Sequence, residues 1–198
     1  MKRSSLVSVA VALVVGAAGF TTHPASGTGD AAPRSAQAAA AATTESGHWV
    51  DTWASMPQLT EAGNMPPAPF TETDRVFEHA TLRQTVHVSV GGQHLRLRFS
   101  NAFGGTDLPI TGVSVARPAD GKAGVGAIVP GSARPVTFGG RPGFDVPMGA
   151  QAVSDPLDFD VRPGTNLTVT LYLADGQAST SITSHPGSRT TSYMLAGE

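Results

Sequence analysis

Five histidines lie beyond residue 44, at positions 48, 79, 87, 94 and 185, among many serines and aspartates. Such residues can hydrolyse esters when a serine is activated by a histidine that a carboxylate orients. The spacing that would announce this chemistry is missing. The chain contains no Gly-x-Ser-x-Gly and no Gly-Asp-Ser, and no histidine has an aspartate three residues before it; His185 has Ile182 there. No catalytic residue is therefore assigned. His87 and His94 are expected on the polar side of one hairpin, roughly 7–8 Å apart as diagonal neighbours. They could supply two metal ligands, but no third is evident, and solvated histidines on a sheet are the plainer reading. Asp155, Asp158 and Asp160 cluster around Pro156 and could offer oxygens to calcium. They lack the glycine and terminal glutamate of an EF-hand loop, so a solvated turn is the alternative. Trp49 and Trp53, expected on one strand face with Asp51, join Tyr172 and Tyr193 as candidate platforms for stacking sugar rings. Core packing is the competing role for the tryptophans. Asn166-Leu-Thr168 fits the glycosylation acceptor pattern, a short motif that is expected by chance. With no cysteine, thiol catalysis and cysteine-ligated zinc are excluded, and no cofactor is implied.

The elements that must position these side chains read as all-β. Glycine (23) and proline (15) punctuate short apolar runs, and past residue 45 alternation of period two replaces any sustained helical period. Val86, Val88 and Val90 alternate with polar residues, as do Leu95, Leu97 and Phe99 after Gly91-Gly92. A two-glycine turn between them predicts a hairpin in which Val88 faces Leu95, Val86 faces Leu97 and His87 faces Arg96. Further strands are expected at Trp49–Trp53, Ile110–Ala116, Val136–Phe138, Phe144–Val146, Leu167–Leu173 and Thr190–Leu195. Leu59–Phe70 reads as an irregular crossover. A β-sandwich or jelly-roll-like domain over residues 45–198 is the architecture these elements build.

The N-terminus is read differently. Lys2 and Arg3 precede an uncharged apolar run from Leu6 to Phe20, then small residues through Ala25, Ser26 and Gly27. That is the layout of a secretory signal peptide over residues 1–27, with Ala38–Ala42 as an alternative cleavage region. Residues 28–44 are mostly Ala, Gly, Ser, Thr and Pro, expected to form a flexible leader. An extracellular location follows, with no membrane association after cleavage. Beyond residue 44 the chain keeps ten of its thirteen basic and fourteen of its fifteen acidic residues, a net charge of −4. The arginines are scattered, which argues against nucleic acid as a partner.

Several segments carry a resemblance in their order and spacing. They are Trp49-Val-Asp-Thr-Trp-Ala-Ser55, Leu82-Arg-Gln-Thr-Val-His87, Leu95-Arg-Leu-Arg-Phe-Ser-Asn-Ala-Phe-Gly104, Ile128-Val-Pro-Gly-Ser-Ala-Arg-Pro-Val-Thr-Phe-Gly-Gly140 and Val153-Ser-Asp-Pro-Leu157. Together they resemble the N-terminal β-rich region of secreted two-domain SGNH/GDSL ester hydrolases. The resemblance implies an accessory domain whose partner is a C-terminal SGNH catalytic domain, with Thr191-Ser-Tyr193 just upstream of it. The family's nucleophile, oxyanion-hole and acid–base residues belong to that catalytic domain and have no counterpart here, so the chain is expected to be a truncated form. A stand-alone module that binds polysaccharide is the alternative.

Overall fold

The computed structural model describes residues 14–18, 48–71 and 74–198. The expected leader (28–44) and both candidate cleavage regions lie outside them. Among the described residues fourteen strands follow in order: β1 (Val14–Ala18), β2 (Trp49–Trp53), β3 (Gln58–Leu59), β4 (Ala80–Val88), β5 (Gly92–Ser100), β6 (Leu108–Ile110), β7 (Gly112–Ala116), β8 (Arg134–Val136), β9 (Phe144–Val146), β10 (Gln151–Val153), β11 (Leu157–Val161), β12 (Thr165–Leu173), β13 (Thr183–Ser184) and β14 (Ser192–Ala196). The helical content of the described residues is two 3-10 turns, Ala62–Asn64 and Ala119–Gly121, so none of their helices is long and apolar enough to cross a membrane.

Two five-stranded antiparallel sheets form the body. One runs β10-β5-β1-β2, with β11 also paired to β5; the other runs β14-β4-β12-β7-β8. The pairs β13-β3 and β6-β9 add two small ribbons. The inward rows are the apolar halves of each alternation: Leu82, Val86 and Val88 on β4, Leu167 to Leu173 on β12, and Leu95, Leu97 and Phe99 on β5, all buried in one continuous core. Each such side chain withdrawn from water contributes about 1.5–3 kcal/mol before entropy is counted. Phe99, Phe138 and Phe144 form a row of rings with centroids 5.9 and 5.8 Å apart. The sandwich-like all-β class expected from period two is the observed one.

The expected hairpin is not. β4 pairs with β12 and β14, whereas β5 pairs with β1, β10 and β11, so the two strands belong to opposite sheets. Val88 stands beside Thr165 and Leu95 beside Leu157. Two strands with one apolar face each satisfy that face equally well side by side or across a core, so alternation alone does not choose. The turn does: a tight two-residue hairpin needs positive φ, and neither Gly91 nor Gly92 adopts it. Gly91 is required instead by close approach, since a Cβ there would lie 2.5 Å from the Val161 carbonyl oxygen.

β1 falls within the apolar run read as the core of a signal peptide. In the structure it is an interior strand, paired to β2 on one side and β5 on the other. An uncharged run rich in valine suits a strand as well as a membrane-inserted signal. The Ile110–Ala116 strand is split into β6 and β7 at Thr111, where the chain leaves the β9 ribbon and joins β12.

Candidate functional site

The structure scatters the histidines. His87 on β4 is exposed, its Nδ1 3.0 Å from Asn166 Oδ1. His94 on β5 places Nδ1 2.7 Å from Asp158 Oδ1 on the neighbouring β11. The expected proximity of His87 and His94 is thus overturned by the same sheet assignment that separates β4 from β5. A carboxylate on Nδ1 is how a hydrolase orients its base, but the Asp158 side chain is 92% exposed. A pair that open to water has the character of a surface ion pair, worth about 0–1 kcal/mol.

The three aspartates do not act together. Asp155 is a structural acceptor: Thr137 Oγ1 donates to it at 2.7 Å, and the Gly139 and Gly140 N–H groups at 3.0 and 2.8 Å. Those donors, Gly140 first, hold its carboxyl below the usual carboxylate range. Asp158 faces His94, and Asp160 offers its backbone carbonyl to Arg117. Among the described residues no group of three or more His, Cys, Asp or Glu could hold a metal ion. Because the folded carboxyl is the stronger acid, Asp155 stabilises the fold above its unfolded pKa of about 3.9 and loses that effect as pH falls through the lower folded value. Asp155→Asn is therefore expected to lower the melting temperature at pH 7, with the gap to the parent chain narrowing at pH 3. A gap independent of pH would show that the carboxylate charge plays no part.

Of the four aromatic candidates, the tryptophans part company. β2 skips a residue at Thr52, where Trp53 pairs with Val15 and Asp51 with Gly16. This bulge breaks the alternation. Trp53 consequently packs against the core, while Trp49 stays 40% exposed with the Arg96 guanidinium 4.5 Å over its ring. The expectation that they share one platform is corrected on that ground.

The two tyrosines, distant in sequence, do share a face. β12 pairs Tyr172 with Thr81 and Gly112, and Thr170 with Arg83 and Ser114, while β14 pairs Tyr193 with Arg83. Two parallel rows of outward residues result, because Leu82, Val113 and Leu171 on the same strands point into the core. Thr81, Gly112 and Tyr172 of one row and Arg83, Ser114 and Thr170 of the other line an open groove of about 470 Å³, with Pro135, Pro142 and Glu198 at its margin; Tyr193 stands on the same face outside the lining. Gly112 has no atom within 4 Å of where a Cβ would stand, so the groove is clear beside Tyr172. Arg83 is held in place by Nε donating to Thr170 Oγ1 at 2.9 Å and Nη1 donating to the Gly126 carbonyl at 2.6 Å. Tyr193 lies over Gly126 and donates to the Gly124 carbonyl at 2.5 Å. An aromatic ring, a fixed guanidinium and hydroxyls at Thr81, Thr170 and Ser114 suit a neutral or weakly anionic polyhydroxyl ligand.

Arg83, Thr170 and Ser114 were not among the candidates read from sequence. Their signal is the polar half of each strand's alternation, which says that they face out but not that they stand side by side. No protein-family model matches this chain, and no curated protein matches it.

Proposed function

We propose that this chain is the β accessory module of a secreted SGNH/GDSL-type carboxylic ester hydrolase, supporting ester chemistry that a separate catalytic domain performs. The observation that carries the reading is where the motifs of the resemblance fall. Ser-Asn-Ala-Phe-Gly104 is a packing device: Asn101 is 0% exposed, and Phe103 N–H donates to Thr183 Oγ1 at 2.9 Å. In Val153-Ser-Asp-Pro-Leu157, Ser154 accepts from Leu97 N–H at 3.0 Å and donates to the Asp155 carbonyl at 2.9 Å. Asn101 and Ser154, so enclosed, fix the domain's shape and are not placed to react with a substrate. Two measurements test the proposal. The chain should not hydrolyse a short-chain aryl ester above background; turnover abolished by a serine-directed inhibitor would refute it. The gene beyond the Glu198 codon should encode a Gly-Asp-Ser block and a later Asp-x-x-His, and their absence from every frame would count against it.

A second reading, binding of polysaccharide, is favoured by the groove at Tyr172. Retention on insoluble xylan would be the signature, and Tyr172→Ala should weaken it about tenfold, since a central aromatic anchor is worth more than 1 kcal/mol. Retention unchanged in that variant would place any sugar binding elsewhere.

A further inference from the structure

In the sheet that contains β1, this interior strand is paired on both sides, to β2 and to β5. β2 reaches β5 only through β1 in the hydrogen-bonded order of that sheet. Yet β2 is held by three contacts that do not involve β1. The first is Thr52, 4% exposed. Its Oγ1 donates to the Val90 carbonyl and accepts from Val90 N–H, both at 2.7 Å, while its carbonyl accepts from Ser89 N–H at 3.1 Å and Ser89 Oγ at 2.9 Å. The second is Trp53, packed against the core. The third is the Arg96–Trp49 stack at 4.5 Å, which reaches from β5 to β2.

Withdrawing β1 therefore leaves both walls standing. The gap would be two strand spacings wide, about 10 Å, with unpaired N–H and C=O groups facing in from each side. About 30 residues separate β1 from β2 in sequence, more than the roughly 2–5 of a hairpin loop. Removal of a signal peptide at residue 27 would also remove β1.

We propose that the gap between β2 and β5 is an acceptor slot for an extended donor strand. The occupant is an uncharged strand antiparallel to both walls, with small residues where it passes the Arg96–Trp49 stack. The register carries that requirement: Gly16 stands opposite Arg96, and Ala18 opposite Trp49. Directly opposed residues share a sheet face, so the stack crosses the donor strand at glycine and alanine positions. Val14–Ala18 is such a strand, and a chain that has lost it takes up an equivalent peptide from solution. Main-chain pairing supplies the affinity and the small positions the specificity, as in other strand-addition complexes. The inference does not depend on the ester-hydrolase reading.

The test is hydrogen exchange on the full chain carrying Ala17→Pro, a substitution an interior strand does not tolerate. Amides of 49–53 and 94–98 should lose protection by about tenfold or more relative to β12. Adding the peptide Val14-Val-Gly-Ala-Ala18, flanked by lysines for solubility, should restore it, whereas the same peptide with Gly16→Leu should not. A chain lacking residues 1–27 should behave as the proline variant does. If either chain unfolds outright, recovery of exchange protection on adding the peptide still supports the slot. Unchanged protection at β2 and β5 in both altered chains, failure of the peptide to restore it, or equal rescue by the leucine peptide would each overturn the proposal.

Discussion

Phe99→Ala is expected to destabilise the fold by about 3–5 kcal/mol, a large share of the roughly 5–15 kcal/mol that holds a domain together. Phe99 is the largest of the fully buried side chains and belongs to the β5 row that closes one side of the core. Its ring meets Phe138 at 5.9 Å, and Phe138 in turn meets Phe144 at 5.8 Å. Truncation removes the transfer free energy of the ring, leaves a cavity that rigid strands on either side do not close, and ends one aromatic pair. Urea unfolding at pH 7 measures the effect as a fall in midpoint at unchanged slope. Phe144→Ala should cost less, because Phe144 is only partly buried at the end of the row. A Phe99→Ala loss below about 1 kcal/mol would mean that the two sheets do not enclose this ring.

Asn101→Ala should rank next, at about 3 kcal/mol. Asn101 Nδ2 donates to the Thr106 and Val146 carbonyls at 2.8 and 3.0 Å, and its Oδ1 accepts from Gln177 Nε2 at 2.9 Å. Gln177 is itself buried and also donates to the Thr106 carbonyl at 2.8 Å. Alanine strands the Val146 carbonyl and weakens the other two groups, and each unsatisfied buried polar group costs about 1–3 kcal/mol. The same amide explains the glycine three residues on: a Cβ on Gly104 would lie 1.8 Å from Asn101 Oδ1 and 2.5 Å from Gln177 Nε2. Gly104→Ala and Asn101→Ala should therefore be strongly non-additive, the double variant losing less than the two single losses together. Additivity in a double-mutant cycle would separate the two positions and remove this explanation of the motif.

The structure explains Asn101 and Gly104 through shape. The all-β class was legible because alternation of period two reports one apolar face per strand. Strands at 49–53, 144–146 and 167–173 were visible for that reason, and their observed bounds match or slightly extend them. The short strands β10 and β11 were not legible, since β10 has only three residues and the outward Asp158 and Asp160 of β11 are as polar as the turn chemistry around Pro156. The candidate groove was partly visible: Tyr172 is a conspicuous aromatic, but Arg83, Thr170 and Ser114 are ordinary polar residues until register sets them in rows.

What the sequence determined by itself was the local chemistry of each segment. It set which side chains alternate, where glycine and proline end a strand, that no cysteine takes part, and that no nucleophile motif is present. Tertiary structure alone decided which strands are neighbours. It sent β4 and β5 to opposite sheets, parted His87 from His94, turned Trp53 inward at the Thr52 bulge and brought Arg83 beside Tyr193. The physical reason is that an apolar face specifies only burial, and many partners can bury it. Choosing among them takes long-range hydrogen-bond register and close contacts such as Gly91 against Val161, which arise only when distant segments meet.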